Sequence, residues 1–168
     1  MTMMNENGNS DSSGTTEANS EATDFQPCSE NELSDWVRDI SEQQNARINI
    51  VGGNTAHHRG MPPSIPTQSL STSRFNRVID YAKNDMTITV QTGMPIGELE
   101  ALLNEEGQTL PIIVPNADKA TVGGAIAANA SGSPRFALGT WRDYLLGINA
   151  VNGNGDVIHA GGRASGRQ

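Results

Sequence analysis

Two pairs of adjacent glycines constrain this chain more than any other feature of its sequence. Gly52-Gly53 directly follows a segment of alternating apolar residues, and Gly123-Gly124 lies in a run of small residues at 120–132. Because glycine has no Cβ atom, a glycine pair permits a tight turn and exposes successive backbone N–H groups. Such groups favour a bound anion at a turn or at a helix N-terminus. The pattern predicts two phosphate-binding loops, and two ligand-free turns remain the alternative.

Neither glycine pair belongs to the better-known nucleotide-binding loops. The sequence has no Gly-Lys-Ser/Thr of a P-loop, and no G-x-G-x-x-G stands between a strand and a helix. A different phosphate-binding fold is therefore expected.

The apolar pattern predicts an α+β or α/β domain with mixed sheets and flanking helices. A capping box at Ser29 and Glu32 begins the first helix, Pro95 suits the first position of the second, and Gly107 suits its left-handed end. Helices are expected over 30–43, over 95–106 and from about 121, and strands over 47–51, 78–81 and 86–91. Met86, Ile88 and Val90 are predicted to share one strand face. A final strand is expected from Asp143, followed by a turn at 152–155 and a short strand to His159.

The formal net charge of −8 is concentrated at one end of the chain. Residues 1–45 contain ten acidic residues and one base, whereas residues 46–168 contain nine acidic residues and ten bases. The nearly neutral part lacks the concentrated basic face of a nucleic-acid-binding protein. Residues 1–26 are predicted to be a disordered acidic and polar tail, residues 27–163 the domain, and residues 164–168 a second short tail.

The chain also lacks sequence signals for membranes and disulfides. No apolar stretch approaches the roughly 18 to 20 residues that span a bilayer, and the N-terminus lacks the basic and then apolar pattern of a secretory signal. These observations predict a cytoplasmic protein. The single cysteine, Cys28, excludes an intrachain disulfide and is expected to be an incidental thiol.

Three ordered segments together resemble one protein family. They are VGGNT at 51–55, PNADKATVGGAIAANASG at 115–132, and the segment at 135–148 that ends in RDYLLGI. They resemble the FAD-binding domains of the p-cresol methylhydroxylase type, and the resemblance covers about residues 28–163. Within that family the segments IDYAKNDMTITVQTG, GQTLP and INAVNGNGDVIHAGG are most similar to the FAD-binding subunits of bacterial glycolate oxidases.

The resemblance implies a bound FAD whose diphosphate lies between the two glycine loops. Some members attach the flavin through a histidine after the paired glycines, and Asn54 in that place implies a noncovalent cofactor. His57 and His58 are expected to face solvent, and neither has a partner at metal-ligand spacing. The implied contacts are backbone N–H groups of Gly52, Gly53, Asn54, Thr55, Gly123 and Gly124, and the hydroxyls of Thr121 and Ser131.

The charged side chains are expected to have structural or solvent-facing positions. Arg142 and Asp143 are interpreted as a local ion pair at the start of a strand, or as a pair that positions the flavin-facing loop. Neither is nominated as catalytic. Two acidic helix faces, Asp35, Asp39 and Glu42 on one and Glu98, Glu105 and Glu106 on the other, are expected to be solvated.

The resemblance further implies an oxidoreductase subunit in which FAD accepts a hydride equivalent from a 2-hydroxy acid. Its partners would be an iron–sulfur subunit and a second flavin subunit, which would place the assembly at the inner membrane face. The family usually continues after Gly161-Gly162-Arg163 with a Lys-Asn pair and a Gly-Tyr/Phe-Asp motif, and this chain instead ends at Gln168. That difference predicts an incomplete domain without a substrate pocket. A noncatalytic flavin-binding fragment and a fold without a ligand remain the alternatives.

Overall fold

The computed structural model describes residues 25–43, 46–56, 60 and 67–162. The predictions for His57, His58, Arg163 and most of both tails lie outside these residues. The helices are α1 (Glu30–Ser41), α2 (Ile96–Glu105), α3 (Val122–Ala127), α4 (Arg135–Leu138) and α5 (Trp141–Tyr144). The strands are β1 (Ile48–Val51), β2 (Gln68–Ser71), β3 (Val78–Ala82), β4 (Thr87–Val90), β5 (Gly147–Val151) and β6 (Val157–Gly161). This combination confirms the predicted α+β class.

The strands form three two-stranded sheets within the described part of the chain. β1 pairs in parallel with β2, whereas β3 pairs antiparallel with β4 and β5 with β6. The predicted mixture of sheets is therefore confirmed. β2 was not predicted from the sequence, because Gln-Ser-Leu-Ser has no apolar alternation. It pairs with β1 and buries Ser69 and Ser71 together with Leu70.

The main core lies among α2, α3, α5 and the β3–β4 sheet. The predicted stripe of α2 is buried at Ile96, Leu99 and Leu103, and Ile96 has no exposed surface. Each such side chain contributes roughly 1.5 to 3 kcal/mol relative to exposure. The same buried cluster includes Met94, Ile112, Val114, Ala120, Val122, Ala125 and Trp141, with Tyr81, Ile88 and Val90 packed against it.

The N-terminus of α2 begins one residue later than the sequence predicts. Pro95 is the N-cap, with φ −61° and ψ 139°, and is not the first helical residue. The reason is tertiary, because Pro95 forms an antiparallel bridge with Thr121 and the N–H of Ile96 donates to the Ala120 carbonyl at 2.8 Å. Gly107 takes the predicted left-handed conformation, with φ 69°.

Two local predictions are wrong. Met86 does not share a strand face with Ile88 and Val90: it has φ 52°, ends the short 3₁₀ turn Lys83–Asp85 and is 78% exposed. Asp143 does not begin a strand, because its carboxylate accepts hydrogen bonds from Thr140 and thereby caps α5.

The predicted turn at 152–155 is confirmed and packs against α1. The side-chain oxygen of Asn152 accepts hydrogen bonds from the N–H groups of Asn154 and Asp156, both at 2.9 Å. The hydroxyl of Ser34 donates to the Gly155 carbonyl. Gly155 has φ 82°, and a Cβ there would lie 2.6 Å from the Ser34 carbonyl oxygen. Only glycine fits this contact without strain.

Candidate functional site

The two glycine loops are in direct contact. A Cβ at Gly52 would lie 2.3 Å from Oγ1 of Thr121, and a Cβ at Gly53 would lie 1.6 Å from the backbone oxygen of Lys119. The first loop, residues 52–56, therefore packs against the second loop, residues 119–124, at a separation that any side chain would prevent. The structure brings together two segments that are about 70 residues apart in sequence.

The first loop leaves its backbone donors unused within the described residues. Thr72 donates to the carbonyl of Val51 at 2.9 Å, which ends the pairing of β1. The following N–H groups, those of Gly52, Gly53, Asn54 and Thr55, donate to no acceptor in the part of the chain that the structure describes. Asn54 is left-handed, with φ 54°. Backbone N–H groups are strong donors that are normally paired, so this loop is suited to an acceptor-rich ligand.

The second loop uses its N–H groups internally. Gly123 donates to the Thr92 carbonyl at 2.8 Å, and Gly124 donates to the hydroxyl of Thr121 at 3.3 Å. The two remaining amides of this first turn, Val122 and Ala125, donate to the carbonyls of Met94 and Thr121. This differs from the expectation that Gly123 and Gly124 offer free N–H groups to a diphosphate.

Gly123 is a glycine for a packing reason. A Cβ at this position would lie 1.7 Å from Oγ1 of Thr92. The start of α3 consequently lies close to the residues that follow β4, and the N-cap Thr121 is only 6% exposed. The second loop is thus a packed support for the first.

A cleft of about 150 Å³ opens beside the contact between the loops. Thr55 and Ala56 line it from the first loop, and Ala120 and Gly124 from the second. The other lining residues are Val114, Pro115, Asn116, Ala125, Ala128 and Ala130. No local sequence pattern indicates a role for Asn116, which lies inside the motif at 115–132. Asn116 has a left-handed φ of 55° and lines the cleft.

Ser131 carries a buried polar atom that lacks a partner. The residue is 3% exposed, and its hydroxyl has no hydrogen bond to any residue that the structure describes. Its neighbour Ala130 lines the cleft and accepts a hydrogen bond from Nε1 of Trp141 at 2.9 Å. A buried hydroxyl without a partner is destabilising, so Ser131 is suited to a polar atom of a ligand.

Asp143 does not form the predicted ion pair with Arg142. Its carboxylate accepts from the N–H of Thr140 at 2.7 Å and from the Thr140 hydroxyl at 3.1 Å. The backbone and then the hydroxyl hydrogen bond lower the pKa of Asp143 below its ordinary value, with a lesser contribution from the charge of Arg142. Neither residue lines the cleft.

The acidic helix faces are exposed, as predicted, but two of their residues have cationic partners. Arg38 contacts the carboxylate of Asp35 at 3.1 Å, and Lys83 contacts that of Glu106. The hydrogen bond to Glu106 raises the pKa of Lys83.

Cys28 is exposed. Within the described residues, no helix has the length and apolar composition that crossing a bilayer requires.

Comparison with known proteins identifies the family. Residues 22–161 match the family described as FAD binding domain. The chain belongs to this family. The resemblance inferred from the glycine loops is confirmed, and FAD is the cofactor of this domain.

The relatives of this FAD-binding domain include enzymes and enzyme subunits of redox metabolism. The chain is 30% identical over 135 residues to glycolate oxidase subunit GlcE of Escherichia coli, covering 76% of this chain and 38% of that protein. It is 30% identical over 137 residues to D-lactate dehydrogenase of Archaeoglobus fulgidus, covering 82% of this chain and 30% of that protein. The chain therefore spans well under half the length of either relative.

A solved structure supports the fold independently. The fold matches alkyldihydroxyacetonephosphate synthase with a TM-score of 0.67 at 24% identity, covering 83% of this chain and 28% of the other. This similarity shows the FAD-binding fold and nothing about substrates.

The residues of the FAD-binding domain fit a flavin dinucleotide on three counts. Among the described residues, the N–H groups of the first loop have no acceptor, the buried hydroxyl of Ser131 has no partner, and residues of both glycine loops line one cleft. Gly52, Gly53 and Thr121 are brought together, and Thr55 and Gly124 share the cleft. The individual roles assigned to the eight predicted contacts stay predictions.

Proposed function

We propose that this chain binds FAD noncovalently and supplies the FAD-binding part of an oxidoreductase that acts on a 2-hydroxy acid. The observation that carries the proposal is the row of N–H groups from Gly52 to Thr55, which have no acceptor among the described residues and lie beside a cleft formed by both glycine loops. Asn54, in the position where some relatives carry a histidine that binds the flavin covalently, supports the noncovalent form.

The electrostatics of the site are compatible with a diphosphate. None of the described residues that line the cleft is acidic, which suits the approach of an anion. Hydrogen bonds to a charged acceptor contribute roughly 1.5 to 3 kcal/mol each. Several backbone N–H groups together can therefore bind a diphosphate without a lysine or an arginine in the first loop.

The predicted site residues have different roles in this proposal. Gly52, Gly53, Asn54 and Thr55 would donate to the phosphates, and the hydroxyl of Ser131 would donate to a polar atom of the cofactor. Thr121, Gly123 and Gly124 would support the first loop through packing and capping, because their own hydrogen bonds and contacts lie within the protein. The proposal thereby changes the role of the second loop from donor to support.

The names of two relatives support the proposed substrate class. Glycolate and D-lactate are both 2-hydroxy acids. When bound, FAD supplies a two-electron acceptor for oxidation of such an alcohol to the corresponding 2-oxo acid. No residue of this chain is assigned as the acid or base of that step.

Partner subunits belong to the same proposal. One relative is by its printed name a subunit of an oxidase. We expect this chain to work with an iron–sulfur subunit and a second flavin subunit, in the cytoplasm or at the inner membrane face. Flavin binding without turnover is the second candidate, favoured because none of the described residues that line the cleft has a titratable side chain.

The decisive experiment is FAD titration of the purified chain, followed by flavin fluorescence and thermal unfolding. At about 100 times its dissociation constant, FAD should stabilise the fold by roughly 2.7 kcal/mol. Asn54→Asp places a negative charge at the proposed phosphate site and should weaken binding at least roughly tenfold, whereas Asn129→Asp adds the same charge to another left-handed asparagine that does not line the cleft. No saturable FAD binding by the folded wild-type chain would refute the proposal.

A further inference from the structure

The segment that joins α3 to α4 is fixed by contacts with α3, with α5 and with the backbone of Ile113. The N–H of Ala130 donates to the carbonyl of Ala125 at 2.9 Å, and the carbonyl of Ala130 accepts from Nε1 of Trp141 at the same distance. Gly132 has φ 65°, and a Cβ there would lie 2.7 Å from the carbonyl oxygen of Ile113. The segment itself is neither helix nor strand, so its path depends on these contacts.

Trp141 makes its hydrogen bond from a rigid position in the main core. It is the first residue of α5, is 6% exposed and belongs to the main buried cluster. The start of α5 is capped, because the N–H of Thr140 donates to the carboxylate of Asp143 at 2.7 Å. Trp141 is not among the described residues that line the cleft. Its indole therefore acts on the cleft through the Ala130 carbonyl and not by contact.

The peptide group between Ala130 and Ser131 connects this hydrogen bond to the candidate site. Ala130 lines the cleft, and Ser131 has the buried hydroxyl that lacks a partner among the described residues. Because a peptide group is planar, fixing the Ala130 carbonyl also fixes the nitrogen and the Cα of Ser131. The indole of Trp141 thereby restricts the direction in which the Ser131 side chain leaves the backbone.

We propose that Trp141 is a positioning residue for the cofactor, whose indole N–H holds the peptide between Ala130 and Ser131 in the orientation that binding requires. This role rests on the proposed FAD binding and on the hydroxyl of Ser131 as a donor to the cofactor. A buried indole N–H also needs an acceptor for stability alone. The two roles differ in their effect on FAD affinity, because stability alone does not make the contribution of Trp141 depend on Ser131.

The first comparison removes the indole N–H. Trp141→Phe keeps a buried aromatic ring, and Trp141→Met is a second variant that fills the space with a flexible apolar side chain. Trp36→Phe is the matched control, because Trp36 stacks on Phe25 and does not line the cleft. Ile40→Val, in the buried face of α1, is the control for a modest loss of stability. Each full-length variant is titrated calorimetrically with FAD, with circular dichroism as the check on folding.

The second comparison separates positioning from a general loss of packing. Ser131→Ala removes the hydroxyl, and its combination with Trp141→Phe completes a double-mutant cycle in FAD affinity. If the indole acts through Ser131, removing the indole N–H costs less affinity once the hydroxyl is gone. The stability of the same four proteins, measured by thermal unfolding, shows whether any coupling is confined to binding.

We expect both Trp141 variants to bind FAD roughly tenfold more weakly than wild type, and both control variants to bind within about twofold. In the Ser131→Ala background the loss from Trp141→Phe should shrink to roughly threefold or less. Unchanged FAD affinity in the folded Trp141 variants, or the same loss in both backgrounds, would overturn the inference and leave FAD binding intact. Absence of FAD binding by the folded wild type would refute the proposed function instead.

Discussion

The N–H groups of Gly52 and Gly53 have no acceptor among the described residues, whereas those of Gly123 and Gly124 donate to Thr92 and Thr121. Both pairs are Gly-Gly in sequence. The difference comes from their surroundings, since the first pair follows the last paired residue of β1 and the second enters a helix whose cap and neighbouring backbone satisfy its donors. A glycine pair therefore predicts close approach of the backbone but does not by itself predict which pair binds the anion.

The largest effect is expected from Gly53→Ala, which tests the contact between the loops. A Cβ would lie 1.6 Å from the backbone oxygen of Lys119, and no side-chain rotation can relieve that clash. We expect a loss of roughly 2 to 3 kcal/mol in the free energy of unfolding, measured in urea, together with loss of FAD binding. Gly153→Ala is the matched control, because a Cβ there has open space, and its stability should stay within about 0.5 kcal/mol of wild type.

Gly123→Ala should have a smaller effect that a second substitution relieves. The nearest atom to the added Cβ is Oγ1 of Thr92, a side-chain atom at 1.7 Å. We expect a loss of roughly 1 to 2 kcal/mol, and the Thr92→Ala background should recover about half of it in a double-mutant cycle by urea unfolding. Purely additive effects would contradict the assigned packing role of Gly123.

Thr121→Val tests the N-cap of α3, which gives an N–H group of the second loop an acceptor. The N–H of Gly124 would lose its acceptor, and stability should fall by roughly 1 kcal/mol in thermal unfolding. Thr121→Ser keeps the hydroxyl and should remain near wild type. A valine variant as stable as the serine variant would show that the cap contributes nothing.

The smallest effect is expected from Asp143→Asn, which weakens the cap of α5. The folded pKa of Asp143 is lowered, so the stabilisation is complete above the unfolded value of about 3.9 and is lost as pH falls through the folded pKa. Wild type should have the higher melting temperature at pH 6, and the difference should vanish at lower pH. FAD affinity at pH 7 should not change. A difference independent of pH would contradict the capping role.

The sequence predicted those parts of the fold that depend on local pattern. The apolar stripe of α2, the alternation of β1 and the Asn-Gly turn of the last hairpin all appear where expected. β2 was missed because its pairing with β1 is a tertiary property of a polar segment. Asp143 was predicted to begin a strand because an apolar run follows it. Its carboxylate instead accepts hydrogen bonds from Thr140 and caps the helix α5.

The sequence predicted close approach of the backbone at the glycines but not the hydrogen bonding of the two loops. The glycines at 52, 53 and 123 are sites of close contact, as their lack of a side chain suggested. The acceptors for the second loop, the carbonyls of Thr92 and Met94, lie roughly 30 residues earlier in the chain. No local pattern could have revealed them. Asn116 was overlooked because a Pro-Asn pair is typical of an ordinary turn.

The central claim is that the first glycine loop binds the diphosphate and the second supports it. The most direct test is a titration of the ¹⁵N-labelled chain with FAD, followed by the backbone amide resonances of Gly52, Gly53, Gly123 and Gly124, with inorganic pyrophosphate as a ring-free competitor. We expect saturable downfield shifts of the Gly52 and Gly53 amide protons that pyrophosphate partly reproduces, and small shifts for Gly123 and Gly124. Larger pyrophosphate-induced shifts at Gly123 and Gly124 than at Gly52 and Gly53 would contradict the account.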